Sequence, residues 1–138
     1  MVQSSGTIYG AATINKAVSY AESLGYHVVG GINSDFFTMG SGIPNGISIE
    51  EGVYKSSPEG NHAISVVDGR LELSASPQVE LTLTNRRNDS SVSLTHFNKW
   101  RNSSGGLYLY NEDFSSVSTR TGSAGGRMVR FQVTEDDR

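Results

Sequence analysis

The chain has 138 residues, 36% of them hydrophobic and 18% charged, with 16 glycines, a formal net charge of -3 and no cysteine. That length suits one ordinary domain with its own hydrophobic core, and the mild acidity excludes the clustered Lys and Arg on which nucleic-acid or anionic-lipid binding rests. The lack of cysteine removes disulfides, thiolate metal sites and cysteine nucleophiles together, while leaving the compartment open.

The first ten residues have no basic start followed by an apolar core, so no signal peptide is expected. No apolar run approaches a membrane span, so no membrane insertion is expected either. Over residues 13–25, Ile14, Ala17, Val18, Ala21 and Leu24 recur at three- and four-residue steps, the stripe of an amphipathic helix. Thr13 can cap its start and Gly25 can take the left-handed conformation at its end. The run 26–32, "YHVVGGI", is apolar on both sides and reads as a central strand covered on both faces, with Gly30 and Gly31 admitting a close neighbour.

Short strands between turns follow. Residues 47–49 and 53–55 flank "EEG", a hairpin signal, and "HAISVV" and "RLELS" flank Asp68-Gly69, the preferred chemistry of a tight hairpin turn. Residues 78–84 alternate Val79, Leu81 and Leu83 with polar residues, as a half-buried strand does. Runs 92–97, 107–110 and 128–133 complete the set. The predicted fold class is α+β, with one helix packed on a mostly antiparallel, strongly twisted, multi-stranded sheet.

Most candidate motifs have plain structural explanations. His27, His62 and His96 are isolated, so no metal site is expected, and neither a nucleophile elbow nor a phosphate loop is present, so no cofactor is expected. "GSAGGR" at 122–127 precedes a strand-like run and reads as a hairpin tip. The tripeptides at Asn88 and Asn102 fit a glycosylation pattern and indicate exposed segments. Tyr108 and Tyr110 alternate with leucines, as one face of a strand would.

The stretch from Asn33 differs. A buried strand ending at "INSDFF" would deliver Asn33 and Asp35 to one side of its C-terminal edge, where clefts form, with Phe36 and Phe37 as an apolar anchor. The glycines beyond, through Gly52, would let backbone amides fold over the cleft. Alternatively, Asn33 and Asp35 close a turn by bonding nearby amides.

The segments "VVGGINSDFFTMGSGIPNGISIEEGVY", "HAISVVDGRLELS", "FNKWR" and "GGLYLYNEDFSSVSTRT", in that order, resemble the phosphodiester glycosidase family over nearly the whole chain. The likeness rests on Asn33, Asp35, Phe36 and Phe37, then Pro44-Asn45-Gly46, then Glu51-Gly52. It implies glycosidase-type hydrolysis of a sugar-phosphate phosphodiester, as in the family's mammalian member that removes N-acetylglucosamine, and leaves the sugar open. Family domains resemble one another in a further "DGGGS"-like segment lining the cleft, which this sequence lacks. Residues 1–138 therefore read either as a single domain or as the N-terminal half of a phosphodiester glycosidase domain.

In such hydrolysis an oxocarbenium-like state needs negative charge near the anomeric carbon. The resemblance implies Asp35 as the catalytic carboxylate. Asn33, Gly46, Arg101, Thr119 and Arg120 would bind substrate, with Arg86 or Arg87 behind them. The second carboxylate would lie in the missing half, so the chain alone is expected to be inactive or very weak. The alternative is a carbohydrate-binding, sugar-phosphate-binding or assembly module without turnover. Expected partners are a sugar-phosphate or glycan, and either a second copy joined through an unpaired sheet edge or the missing half. The greater likeness to bacterial members of the family implies an extracytoplasmic location.

Overall fold

The computed structural model describes residues 7–8, 10–31, 35–39, 41–60, 62–101, 105–114 and 125–131. Helix α1 (Ile14–Ser23) forms where the stripe places it. The extended Thr13 accepts a hydrogen bond from Lys16 N at 3.4 Å, and Gly25 follows the last turn at φ 90°. Ala21 is buried and Ala17 and Val18 are half-buried, whereas Ile14 and Leu24 at the ends of the stripe are exposed. Because the covered residues are small, they present little apolar area. Among the described residues α1 packs on none of the strands, in contrast to the expected helix-on-sheet layer.

The expected central strand is also corrected. Residues 26–31 form no ladder, and Val29 is 96% exposed. An apolar run becomes a central strand only if neighbours on both sides take its backbone hydrogen bonds, and no described segment does so. Tyr26 is the part that is tied down, through its N–H to the Ala21 carbonyl at 3.1 Å and its hydroxyl to the Glu51 carboxylate at 2.6 Å.

The strands pair two by two. Strands β1 (Ser48–Glu50) and β2 (Val53–Ser56) form an antiparallel hairpin, and β3 (Ala63–Val67) and β4 (Arg70–Ser74) form another. Both turns carry two successive positive φ angles, 49° and 78° at Glu51-Gly52 and 50° and 73° at Asp68-Gly69. Such turns match the right-handed twist of the strands they join. Strand β5 (Thr82–Asn85) pairs antiparallel with β6 (Ser90–Ser93), and β7 (His96–Phe97) runs parallel to β8 (Tyr108–Leu109). The fold is thus α+β with mostly antiparallel pairing.

The run expected at 92–97 divides because it changes partner. Leu94 N–H bonds the Leu81 carbonyl, whereas Thr95 N–H bonds the Leu107 carbonyl. The run at 78–84 contributes only its end, to β5, and residues 128–131 form no strand, leaving Met128, Val129 and Phe131 exposed. Among the described residues the apolar core is small: Ile8, Ile43 and Phe114 are buried together, with Trp100 and Tyr110 packed against them.

Candidate functional site

The chain from Asp35 to Gly46 doubles back as a tight loop. Phe37 bridges Pro44, Thr38 N–H bonds the Ile43 carbonyl at 2.9 Å, and Asn45 N–H bonds the Phe36 carbonyl at 2.9 Å. Gly42, at φ 73°, passes so close to the Gly10 backbone that any Cβ there would collide with it. That close approach accounts for one of the clustered glycines. At the end of the loop, the Asp35 Oδ2 accepts a 2.5 Å hydrogen bond from the buried Gly46 N–H. A Cβ at Gly46 would lie 2.8 Å from that oxygen, so any other residue there would push the Asp35 carboxylate aside.

This bond bears on the turn-closing alternative. Asp35 reaches an amide eleven residues away, not one in its own bend. Its Oδ1 has no hydrogen-bond donor among the described residues. Phe36 does not act as an anchor: it is 82% exposed, because residues 36 and 37 commit their backbone to the 44–45 segment and the ring is left outside.

Beneath the loop lies Lys99, which the sequence reading did not single out. It is 1% exposed, and its Nζ donates to the carbonyls of Pro44, Asn45 and Gly46 at 2.5, 3.0 and 3.0 Å. Burial lowers its pKa to about 8, against the opposing pull of the Glu59 and Asp35 carboxylates. The Glu59 N–H also bonds the Asn45 carbonyl, at 3.0 Å, and its carboxylate lies 3.9 Å from His96 Nε2. Burial pushes the His96 pKa below its ordinary value. The imidazole stacks on Tyr108 at 4.5 Å, and Tyr108 in turn stacks on Tyr110 at 6.4 Å, as their alternation predicts. Burial also drives the Tyr110 phenol up to about 12.

Asn98, next to Lys99, is fully buried at φ 51°. Its Nδ2 donates to the Lys55 carbonyl at 2.8 Å and to Asn111 Oδ1 at 2.6 Å, and its Oδ1 accepts from Asn111 N at 3.1 Å. Asn111 Nδ2 then donates to Asp113, which pairs with Lys55 at 2.7 Å. This network holds the segment that carries Lys99.

Arg101 is directed elsewhere, with Nη2 donating to the Gly125 carbonyl. Arg86 and Arg87 lie exposed in the β5–β6 turn. Asn33, Thr119 and Arg120 fall outside the described residues. Asp35 and Gly46 are therefore the pair of expected site residues that the structure brings together. Two cavities lie apart from them, one of about 390 Å³ on the outer face of α1 and one of about 340 Å³ against β5 and β6 beside Phe131. Among the described residues, no three His, Asp or Glu side chains converge as a metal site, and no helix is long and apolar enough to cross a membrane.

Little in the sequence marks Lys99 as functional. A lysine between Phe97-Asn98 and Trp100 is a weak hint of burial, but its partners lie more than fifty positions away. Comparison with family models, with curated proteins and with solved structures finds no match for the chain.

Proposed function

We propose that the chain forms the sugar-phosphate-handling wall of a phosphodiester glycosidase, with Asp35 as the carboxylate that faces the anomeric carbon. The observation supporting this reading is the Asp35–Gly46 hydrogen bond, which unites the acid and the glycine that the family resemblance assigns to one pocket. With Oδ2 fixed by the amide, Oδ1 is left to stabilise an oxocarbenium-like state, and the orientation is set before substrate arrives. Phosphate leaves readily once its oxygens are bonded, a duty that the family resemblance gives to Arg120. The second carboxylate comes from beyond these residues. On the same reading, the separate ladders are parts of one strongly twisted sheet in the complete enzyme, which works outside the cytoplasm.

The test is to add N-acetylglucosamine 1-phosphate to the 138-residue chain and follow the amide resonances. Shifts centred on Asp35, Phe36 and Gly46, joined by Asn33, Thr119 or Arg120 where these bind, and lost in Asp35→Asn, are expected; shifts that leave Asp35 and Gly46 untouched, or none, overturn the reading. Hydrolysis of a methyl phosphodiester of the same sugar by this chain should be weak and should vanish in Asp35→Asn. Recognition without turnover is the second reading, favoured by the bond that already occupies Asp35 Oδ2. Saturable binding with no released sugar, retained in Asp35→Asn, would select it.

A further inference from the structure

We infer that Lys99 is a positioning residue for Asp35, acting on it through the Asn45–Gly46 peptide bond; the role rests on the reading of Asp35 given above. The geometry is that of a relay. In a trans peptide the carbonyl and the N–H point in opposite directions. The Asn45 carbonyl faces Lys99 Nζ at 3.0 Å, and the N–H of the same peptide unit, on Gly46, faces Asp35 Oδ2 at 2.5 Å. The preceding unit repeats the pattern, with the Pro44 carbonyl on Lys99 and the Asn45 N–H on the Phe36 carbonyl. Two consecutive peptide dipoles are thus oriented with their oxygens on a buried cation and their N–H groups on the segment that carries Asp35.

Hydrogen bonds in such a chain polarise one another, so the cation strengthens the amide as a donor to the carboxylate. Three carbonyls occupy all three ammonium protons, which leaves Lys99 unsuited to act as a nucleophile and suited to act as a clamp. The groups that bear on its charge are Asp35 and Glu59, which favour the cation, and the burial that opposes it. His96, which feels the lysine's charge, has its own titration displaced downward, away from that of Lys99.

The test compares amide hydrogen exchange in the wild type, Lys99→Met and Lys99→Arg. In Lys99→Met, exchange at Asn45 and Gly46 should quicken about tenfold, the loss of roughly one hydrogen bond's net worth, while amides of the β3–β4 hairpin keep their rates. Lys99→Arg keeps the charge but spreads its donors over a planar fork, and should recover part of the protection. Unchanged exchange at Gly46 in a folded Lys99→Met overturns the inference. Should that variant not fold, the wild type supplies the answer. The carbonyl carbon of Asn45 and the carboxylate carbon of Asp35 should shift together as Lys99 loses its proton, expected near pH 8, and an Asp35 signal that stays flat while that of Asn45 moves also overturns it. Neither readout uses a sugar, so failure of the binding test leaves the relay standing, and failure of these leaves the function standing.

Discussion

Two parts of this molecule are built on opposite principles. Around Lys99 and Asn98, segments far apart in sequence are held by buried polar side chains whose hydrogen bonds are supplied by backbone. The β3–β4 hairpin, in contrast, closes on its own turn. Its pairs Ile64↔Leu73 and Val66↔Leu71 share one face, and all four residues are 68–70% exposed. Turn chemistry and its own ladder define the hairpin, and the contrast shows that they do not place it. Among the described residues, tertiary position comes from the few buried polar groups that would be costly to leave unpaired, together with the small Ile8–Ile43–Phe114 core beside them.

Perturbing the polar part should therefore have the largest effect. Asn98→Ala removes three side-chain hydrogen bonds made from a fully buried position and deprives the half-buried Lys55 carbonyl and the Asn111 N–H of their partner. A loss of about 4 kcal/mol is expected in urea unfolding. Asn98→Gly suits the positive φ but lacks the amide, and should regain only about 1 kcal/mol.

Lys99 gives the next largest effect, in an unusual direction. Its folded pKa, about 8, lies below its ordinary 10.5, so between these values the unfolded chain binds more protons than the folded one. Stability then rises with pH. The penalty for burying the cation is fully present below pH 8 and is relieved on the way to 10.5, on the order of 3 kcal/mol in all. Unfolding midpoints measured from pH 7.5 to 10 should climb in the wild type and stay level in Lys99→Met. Above pH 10 the trend reverses, because Tyr110 and Tyr54 hold their protons more tightly in the fold than out of it, and that contribution is lost as pH climbs.

What could be read from the sequence follows the same division. The Thr13 cap, the Gly25 stop and the paired positive φ angles at Glu51-Gly52 and Asp68-Gly69 are local, and residue type alone announces them. The Asp35–Gly46 pairing spans eleven residues, and the sequence pointed to both residues without indicating that they bond each other. The carbonyl cradle of Lys99 depends on partners 53 to 55 positions away, and no spacing rule encodes it. Residues 26–31 depart from the expected strand for the related reason that apolarity shows a need for cover without showing which segment provides it. The switch of partner between Leu94 and Thr95 likewise lies in tertiary hydrogen bonding, not in the alternation of side chains.

A smaller effect is expected at the margin of the polar part. The Lys55–Asp113 pair has a 2.7 Å contact with side chains 20% and 17% exposed, between the cheap surface ion pair and the costly buried one. Asp113→Asn should cost about 1.5 kcal/mol. A cost near that of Asn98→Ala would mean that the ion pair and the asparagine network act as one unit, which a double mutant would show as strong non-additivity.

The smallest effect is expected on the open hairpin face. Leu73→Thr replaces a residue that is 70% exposed with one of good strand propensity. If the face is bare, unfolding free energy should change by about 0.5 kcal/mol or less, and the midpoint should not depend on protein concentration. If Leu73→Thr costs more than about 2 kcal/mol, the leucine is losing real burial, so something covers that face in solution. The hairpin would then be placed by apolar contact, just as the Lys99 region is placed by polar contact, and the contrast between them would be one of chemistry and no longer one of tertiary anchoring.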